Sequence, residues 1–274
     1  MGNTFGNAYV TIAATSARDA TQGFLERQSL QDPESQYVKV DSSSHGALFI
    51  STIIDDYPSD VENGVLNQRA WVLQERALSR RTIHFTANQT YWECGGGVRC
   101  ETLTRMRNSK ALFLSDPKFP ASLMHRRIDD KIRLFQGLFE KYSQLGITDP
   151  TDRPIAISGL VDRLAETFKM RASHGVFEGY LHRSLLWHRA DTARMQRIQF
   201  AEDRQIPSWS WMASSGRIEY RKVECCDVEW NSEIRFTDEG LQAPTRRLQQ
   251  CKIEPRDDGA CDIRSAANGA DMGW

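Results

Sequence analysis

The sequence predicts an α/β or α+β fold, a mixed sheet flanked by helices. Three observations point there. Short runs rich in β-branched and aromatic residues fill the first hundred positions, the composition of strands. Two later segments carry apolar residues at spacings of three and four, the period of a buried helix face. No run approaches the roughly 20 apolar residues of a membrane helix.

The strands come first. Residues 8–15 (AYVTIAAT) read as a strand, and Ser16 to Gly23 as a turn. Gln28 to Gln36 holds Pro33 and reads as a loop. Tyr37–Val40 and Ala47–Ile54 are strands around the turn Ser42 to Gly46, and the acidic stretch Asp55–Asn63, with Pro58, is a loop. Ala, Leu, Gln, Glu and Arg dominate residues 67–79, the makings of a short helix. Arg80–Phe85 and Gln89–Cys94 form a hairpin around Thr86–Ala87–Asn88, which Gly95–Gly96–Gly97 ends. Glu101 to His125 reads as a long irregular loop.

The helices follow. In 129–144, Ile132, Phe135, Phe139 and Tyr142 continue one face begun by Ile128. In 153–170, Ile157, Leu160, Val161, Leu164 and Phe168 share a face, with Asp152 as N-cap and Pro154 in the first turn. A third helix is expected over 177–188. Pro207–Trp211 and Gly216–Tyr220 read as extended, which puts Trp209 and Trp211 on one side of a strand. Residues 1–236 are read as one domain. Residues 237–274 hold a single aromatic, Trp274, and read as a polar, flexible tail.

Composition narrows the function. The 274 residues carry 35 Lys+Arg against 36 Asp+Glu, a net charge of -1. This excludes a bulk polyelectrolyte binder of nucleic acid. The apolar fraction of 40% and mean hydropathy of -0.54 are low for a compact domain. No secretory signal opens the chain, and Gly6 stands where a myristoylation signal needs Ser or Thr. A cytoplasmic protein with reduced thiols is expected. The six cysteines form no Cys-x-x-Cys pair and the histidines lack zinc spacing, so neither metal nor cofactor is expected. Gly95–Gly96–Gly97 lacks a phosphate-loop ending, and Ile157-Ser158-Gly159 is no nucleophile elbow. The basic cluster Arg126, Arg127, Lys131 and Arg133 reads as a solvated helix face.

Residues 69–79, Arg-Ala-Trp-Val-Leu-Gln-Glu-Arg-Ala-Leu-Ser, resemble the signature of the fungal heterokaryon-incompatibility (HET) domain. The flanking blocks occur in the family's order: Asn7–Ala17 before it, then Tyr91-Trp-Glu-Cys94 with Glu101-Thr102. Asp152-Arg153 with Ala156–Gly159, Leu185-Leu186-Trp187 and Pro207-Ser-Trp-Ser-Trp211 follow. The resemblance spans about residues 1–220. It departs at Ala70, a glycine in the family, and in lacking two earlier blocks, a Leu-Ser-Tyr-x-Trp-Gly type strand and a Trp-Ile-Asp-x-x-Cys-Ile-Asn-Gln type segment. The chain is therefore expected to be an N-terminally truncated HET domain, exposing a sheet edge. The resemblance implies a signalling role in nonself recognition and programmed cell death, with an unidentified protein partner. A distant likeness to TIR domains implies the alternative of an NAD-cleaving enzyme fragment. A non-functional remnant is the third reading.

The signature residues are Arg69, Trp71, Gln74, Glu75 and Arg76, with Trp92, Glu93, Trp209 and Trp211 downstream. On a helical wheel Trp71, Gln74, Glu75 and Leu78 share one side, and apolar residues surround the helix. A Glu beside a buried Trp must be paired or protonated. A buried Arg–Glu–Gln network fixing helix against sheet is the plainer reading. A glutamate of raised pKa in a cleft, or an exposed one, are its alternatives. Along Tyr91-Trp92-Glu93, Trp92 is expected in the core and the other two opposite.

Overall fold

The computed structural model describes residues 2–25, 38–42, 46–50, 55–106, 119, 121–190, 195–223, 234–237, 240–242, 251–255 and 261–265. The chain divides into two compact units, 1–228 and 229–274.

The first unit is an α/β domain. Helix α1 (Gly2–Asn7) leads into strand β1 (Thr11–Ala14). β2 (Val38–Ser42) and β3 (Gly46–Ile50) make a separate antiparallel hairpin, as the turn between them predicts. Helix α2 (Ala70–Leu78) carries the signature. β4 (Arg81–Phe85), β5 (Thr90–Cys94), β6 (Gly97–Cys100) and β7 (Arg105–Met106) follow. These four and β1 build one mixed sheet in the order β1-β4-β5-β6-β7. In this sheet only β1 runs parallel to its neighbour, pairing Thr11 with Thr82 and Ala14 with Phe85. The others are antiparallel. Gly97 starts β6 rather than ending β5; its φ of 106° is the reason glycine serves at this tight reversal.

Helices α3 (Ile128–Ser143) and α4 (Ile155–Phe168) stand as the periodicity predicts. Phe135, Phe139, Tyr142, Ile157, Leu160 and Leu164 are all buried in one core with Leu73 and Ala77 of α2. Ile128 is the exception on the α3 face, 60% exposed in the first turn. A smaller apolar cluster of Tyr57, Val61, Tyr91, Val98 and Cys100 lies against the sheet. The helical core and the sheet cluster are thus distinct, and α2 stands between them.

Several local expectations are corrected. The acidic loop with Pro58 is a single wide helical turn, Pro58–Glu62, with proline at its first position, where no backbone N–H is needed. Asp152 does not cap α4. Asp149 accepts from Thr151 N at 2.9 Å to cap a preceding 3₁₀ turn, and Pro154 occupies the α4 N-cap. The helix expected over 177–188 is broken. β8 (Ala172–Ser173) pairs with β9 (Val176–Phe177), and then come a 3₁₀ turn, α5 (Leu181–Ser184) and β10 (Trp187–Arg189). The Phe177 N–H donates to Ser184 Oγ at 3.3 Å, an exchange that a continuous helix would forbid. β11 (Gln196–Arg197) pairs with β12 (Ser214–Ser215), and β10 with β13 (Ile218–Tyr220).

Pro207–Trp211 is not extended either. It turns, and Trp211 starts a 3₁₀ helix capped by Ser210 Oγ, which accepts from Met212 N at 3.1 Å. The two tryptophans therefore part. Trp211 is fully buried under the Arg153 guanidinium, 5.3 Å from its ring. Trp209 lies near His174 instead, ring to ring at 5.9 Å.

Among its described residues the second unit holds two antiparallel hairpins: β14 (Arg235–Thr237) with β15 (Gly240–Gln242), and β16 (Cys251–Pro255) with β17 (Cys261–Ser265). The compositional boundary at 236/237 thus falls inside this unit, within its first hairpin. The loop expected at Gln28–Gln36 and the pair Cys225–Cys226 lie outside the described residues.

Candidate functional site

Two places gather the signature residues. The first is a buried polar network between α2 and the sheet. Arg76 reaches from α2 and donates to Glu93 on β5 twice, Nε to Oε2 at 2.8 Å and an Nη to Oε1 at 2.8 Å. The same Nη donates to the Tyr57 hydroxyl at 2.7 Å. His84 Nε2 meets Glu93 Oε2 at 2.9 Å. A carboxylate only accepts, so Nε2 carries a proton. Thr15 Oγ1 lies 3.2 Å from His84 Nδ1 at the end of the chain of contacts. Every member is buried: Thr15 0%, His84 1%, Glu93 2%, Tyr57 2% and Arg76 4% exposed.

The charges follow from this geometry. Burial alone would raise the Glu93 carboxyl. The Arg76 charge and the hydrogen bonds from His84 and Arg76 together outweigh it and hold Glu93 well below the usual carboxylate range. Burial would lower Arg76, and Glu93 reverses that. His84 is shifted down by burial, which the Glu93 hydrogen bond only partly opposes, so it is neutral near pH 7. Neutral His84 leaves Nδ1 as an acceptor, and Thr15 donates to it. The order Thr15–His84–Glu93 has the connectivity of a nucleophile, base and orienting acid. Its hydroxyl end is sealed from solvent, so the arrangement holds the fold and offers no reacting atom to a substrate.

The second place is an open groove of ≈ 780 Å³ between α1, α2 and α4. Trp71 and Gln74 of the signature line it, with Arg80 and, from α4, Asp162, Arg163 and Glu166. Two cations thus face two carboxylates. Arg163 and Glu166 stand 3.9 Å apart. Burial, and next the Glu166 charge, push the Asp162 carboxyl up. The close approach of the helices has a sequence cause at Gly159. A Cβ there would stand 3.0 Å from Gln74 Oε1 and 3.1 Å from Gly2 Cα. Gln74 Oε1 accepts from Leu160 N at 3.2 Å and so ties α2 to α4.

The remaining signature positions separate. Glu75 is half-buried, and burial raises its carboxyl while Arg69 opposes. It has no part in the Arg76 network, so the glutamate paired with the signature arginine is Glu93. Arg69 is exposed at the α2 N-cap. Trp92 is half-buried, whereas Tyr91 and Glu93 are inside. The strand therefore alternates in the phase opposite to the one its sequence predicts. The polar partners Arg76, His84 and Tyr57 on the inner face explain the inversion, because they satisfy a glutamate there. Trp209 and Trp211 reach neither place.

Sequence reasoning missed His84, Tyr57 and Thr15 in the network and Asp162, Arg163 and Glu166 in the groove. The hairpin register could have found one of them. Glu93 pairs across from Thr82, which makes His84 its diagonal neighbour on the same face. Among the described residues no group of His, Cys, Asp and Glu could hold a metal ion, and no helix is long and apolar enough to cross a membrane. No protein-family model, curated protein or solved structure matches the chain.

Proposed function

We propose that this chain is a HET-type signalling domain of fungal nonself recognition, acting in the cytoplasm through a protein partner in a pathway to programmed cell death. The family assignment rests on the ordered motifs. The observation that favours signalling over catalysis is the fate of the signature's polar residues. Arg76 is closed onto Glu93 in a solvent-free pair, and Gln74 is buried against Leu160. The signature then acts as a scaffold that joins α2 to the sheet and to α4. The surface it supports is the groove beside Trp71, where a partner would bind.

One observation favours the enzyme reading. The groove volume falls in the range of small-molecule sites, and it contains the raised carboxyl of Asp162.

Expression of the full chain in a filamentous fungus, scored for cell death, separates the readings. Wild type is expected to arrest growth. Asp162→Lys, on the groove wall, is expected to abolish arrest while the purified protein melts as wild type. Growth unaffected by the wild-type chain contradicts the signalling role. Consumption of NAD by the purified chain, lost in Asp162→Asn, favours the enzyme.

A further inference from the structure

We propose that a second groove, between α3 and the segment following β13, binds a small phosphate-bearing anion. This groove has a volume of ≈ 440 Å³, within the range of small-molecule sites. Arg133, Arg183, Arg221 and Lys222 line it, against two carboxylates, Asp129 and Glu140. The first groove balances its charges two against two, and the whole chain carries -1. The cation excess here is therefore local and is not inherited from composition.

Four cations against two acids leave an excess of two positive charges. Glu140 Oε1 accepts the Tyr220 backbone N–H at 2.7 Å, so that carboxylate is engaged in fixing β13 to α3. Tyr220 also lines the groove and is 4% exposed. Its hydroxyl makes no hydrogen bond among the described residues. Burial, and next the Glu140 charge, keep its proton on.

The cation types suit phosphate. Guanidinium groups present planar forks to phosphoryl oxygens, and a lysine adds a point charge. Gly137 lines the α3 wall and adds no side chain to it. Arg126 and Arg127 are exposed just before α3 begins. They extend the positive field outward and would steer an anion in. The basic cluster that reads as a solvated face in the sequence thus adjoins a groove of its own sign.

Calorimetric titration of the full chain with pyrophosphate, in low-salt buffer, tests this. Saturable one-to-one binding is expected, weakened at least 10-fold by the charge reversals Arg133→Glu and Lys222→Glu together. Both side chains are exposed, so the double variant should melt as wild type. Arg163→Glu in the first groove should leave binding unchanged. Titration with a sugar monophosphate shows whether one phosphoryl group suffices, and any saturable binding lost in the double reversal supports the site. Absence of binding at millimolar pyrophosphate would overturn the proposal. So would sulfate binding as tightly as pyrophosphate, or affinity indifferent to the double reversal. These outcomes depend neither on the partner of the first groove nor on growth arrest in a fungal host.

Discussion

Arg76 and Glu93 share two parallel hydrogen bonds of 2.8 Å with both side chains removed from water. Arg76 belongs to the helix and Glu93 to the sheet, so this pair is the joint between the two layers. A pair of this kind contributes little net stability compared with an apolar replacement. Breaking it is expensive, because the surviving charge stays buried alone.

Glu93→Gln should therefore destabilise the first unit by about 3–5 kcal/mol, the usual cost of stranding one member of a buried pair. Glu75→Gln should change stability by less than about 1 kcal/mol, since a half-buried carboxyl opposed by desolvation loses little on neutralisation. Chemical denaturation of both variants decides this. Equal losses would mean that Glu93 holds no special place among the glutamates around α2.

The same network sets a pH dependence. Glu93 is depressed in the folded protein, so its contribution is complete above the unfolded carboxylate pKa of about 4.3 and fades as pH falls below it. His84 is also depressed, so the unfolded chain takes up a proton first, below about pH 6.5, and folding weakens from there. Stability should thus decline in two stages, the first setting in as pH falls below about 6.5 and the second below about 4.3. His84→Gln should flatten the first stage and leave the second. Melting curves from pH 8 to 2 measure it, and an unchanged first stage in the variant would show that His84 does not set the pH response.

The two tryptophans of Pro207–Trp211 should behave differently. Trp211 packs against Phe139, Tyr142 and the Arg153 guanidinium with no exposed surface. Trp211→Ala should cost about 3–5 kcal/mol, as for other buried aromatics. Trp209→Ala should cost about 1 kcal/mol or less, as for a side chain that keeps its solvent contact. Its carbonyl bond to Trp187 Nε1 survives the change. Comparable losses in thermal melts would favour an extended segment, in which both share a face.

Gly175 has φ +76°, and a Cβ there would fall 2.8 Å from Trp211 Nε1. Gly175→Ala combines backbone strain with a collision in the core and should cost roughly 2–4 kcal/mol. The melting temperature reports it, and a neutral outcome would mean that this turn is free to move.

The legible parts of the sequence are those governed by local periodicity. The α3 and α4 faces can be read because apolar side chains repeat on one side of a long helix, and the β4–β5 hairpin because two strand runs flank a polar turn. What escapes depends on partners far away in the chain. The phase of Tyr91-Trp92-Glu93 depends on Arg76, His84 and Tyr57, which make the inner face polar. The break over 177–188 depends on the Ser184 hydroxyl catching Phe177 and on β10 pairing with β13. The turn at Trp211 depends on Ser210, whose hydroxyl donates to the His174 carbonyl at 2.7 Å. The first groove is illegible for the same reason. It needs Gly159 and Leu160 against Gln74, and Leu160 is 86 positions from that partner.

The signature arginine serves the sheet through Glu93, and a double-mutant cycle with Arg76→Met and Glu93→Leu, followed by denaturant unfolding, tests this most directly. Each single change should cost about 3–5 kcal/mol, and the double variant should lose markedly less than their sum, with coupling of about 2 kcal/mol or more. Losses that simply add would contradict the joint and return Arg76 and Glu93 to independent roles.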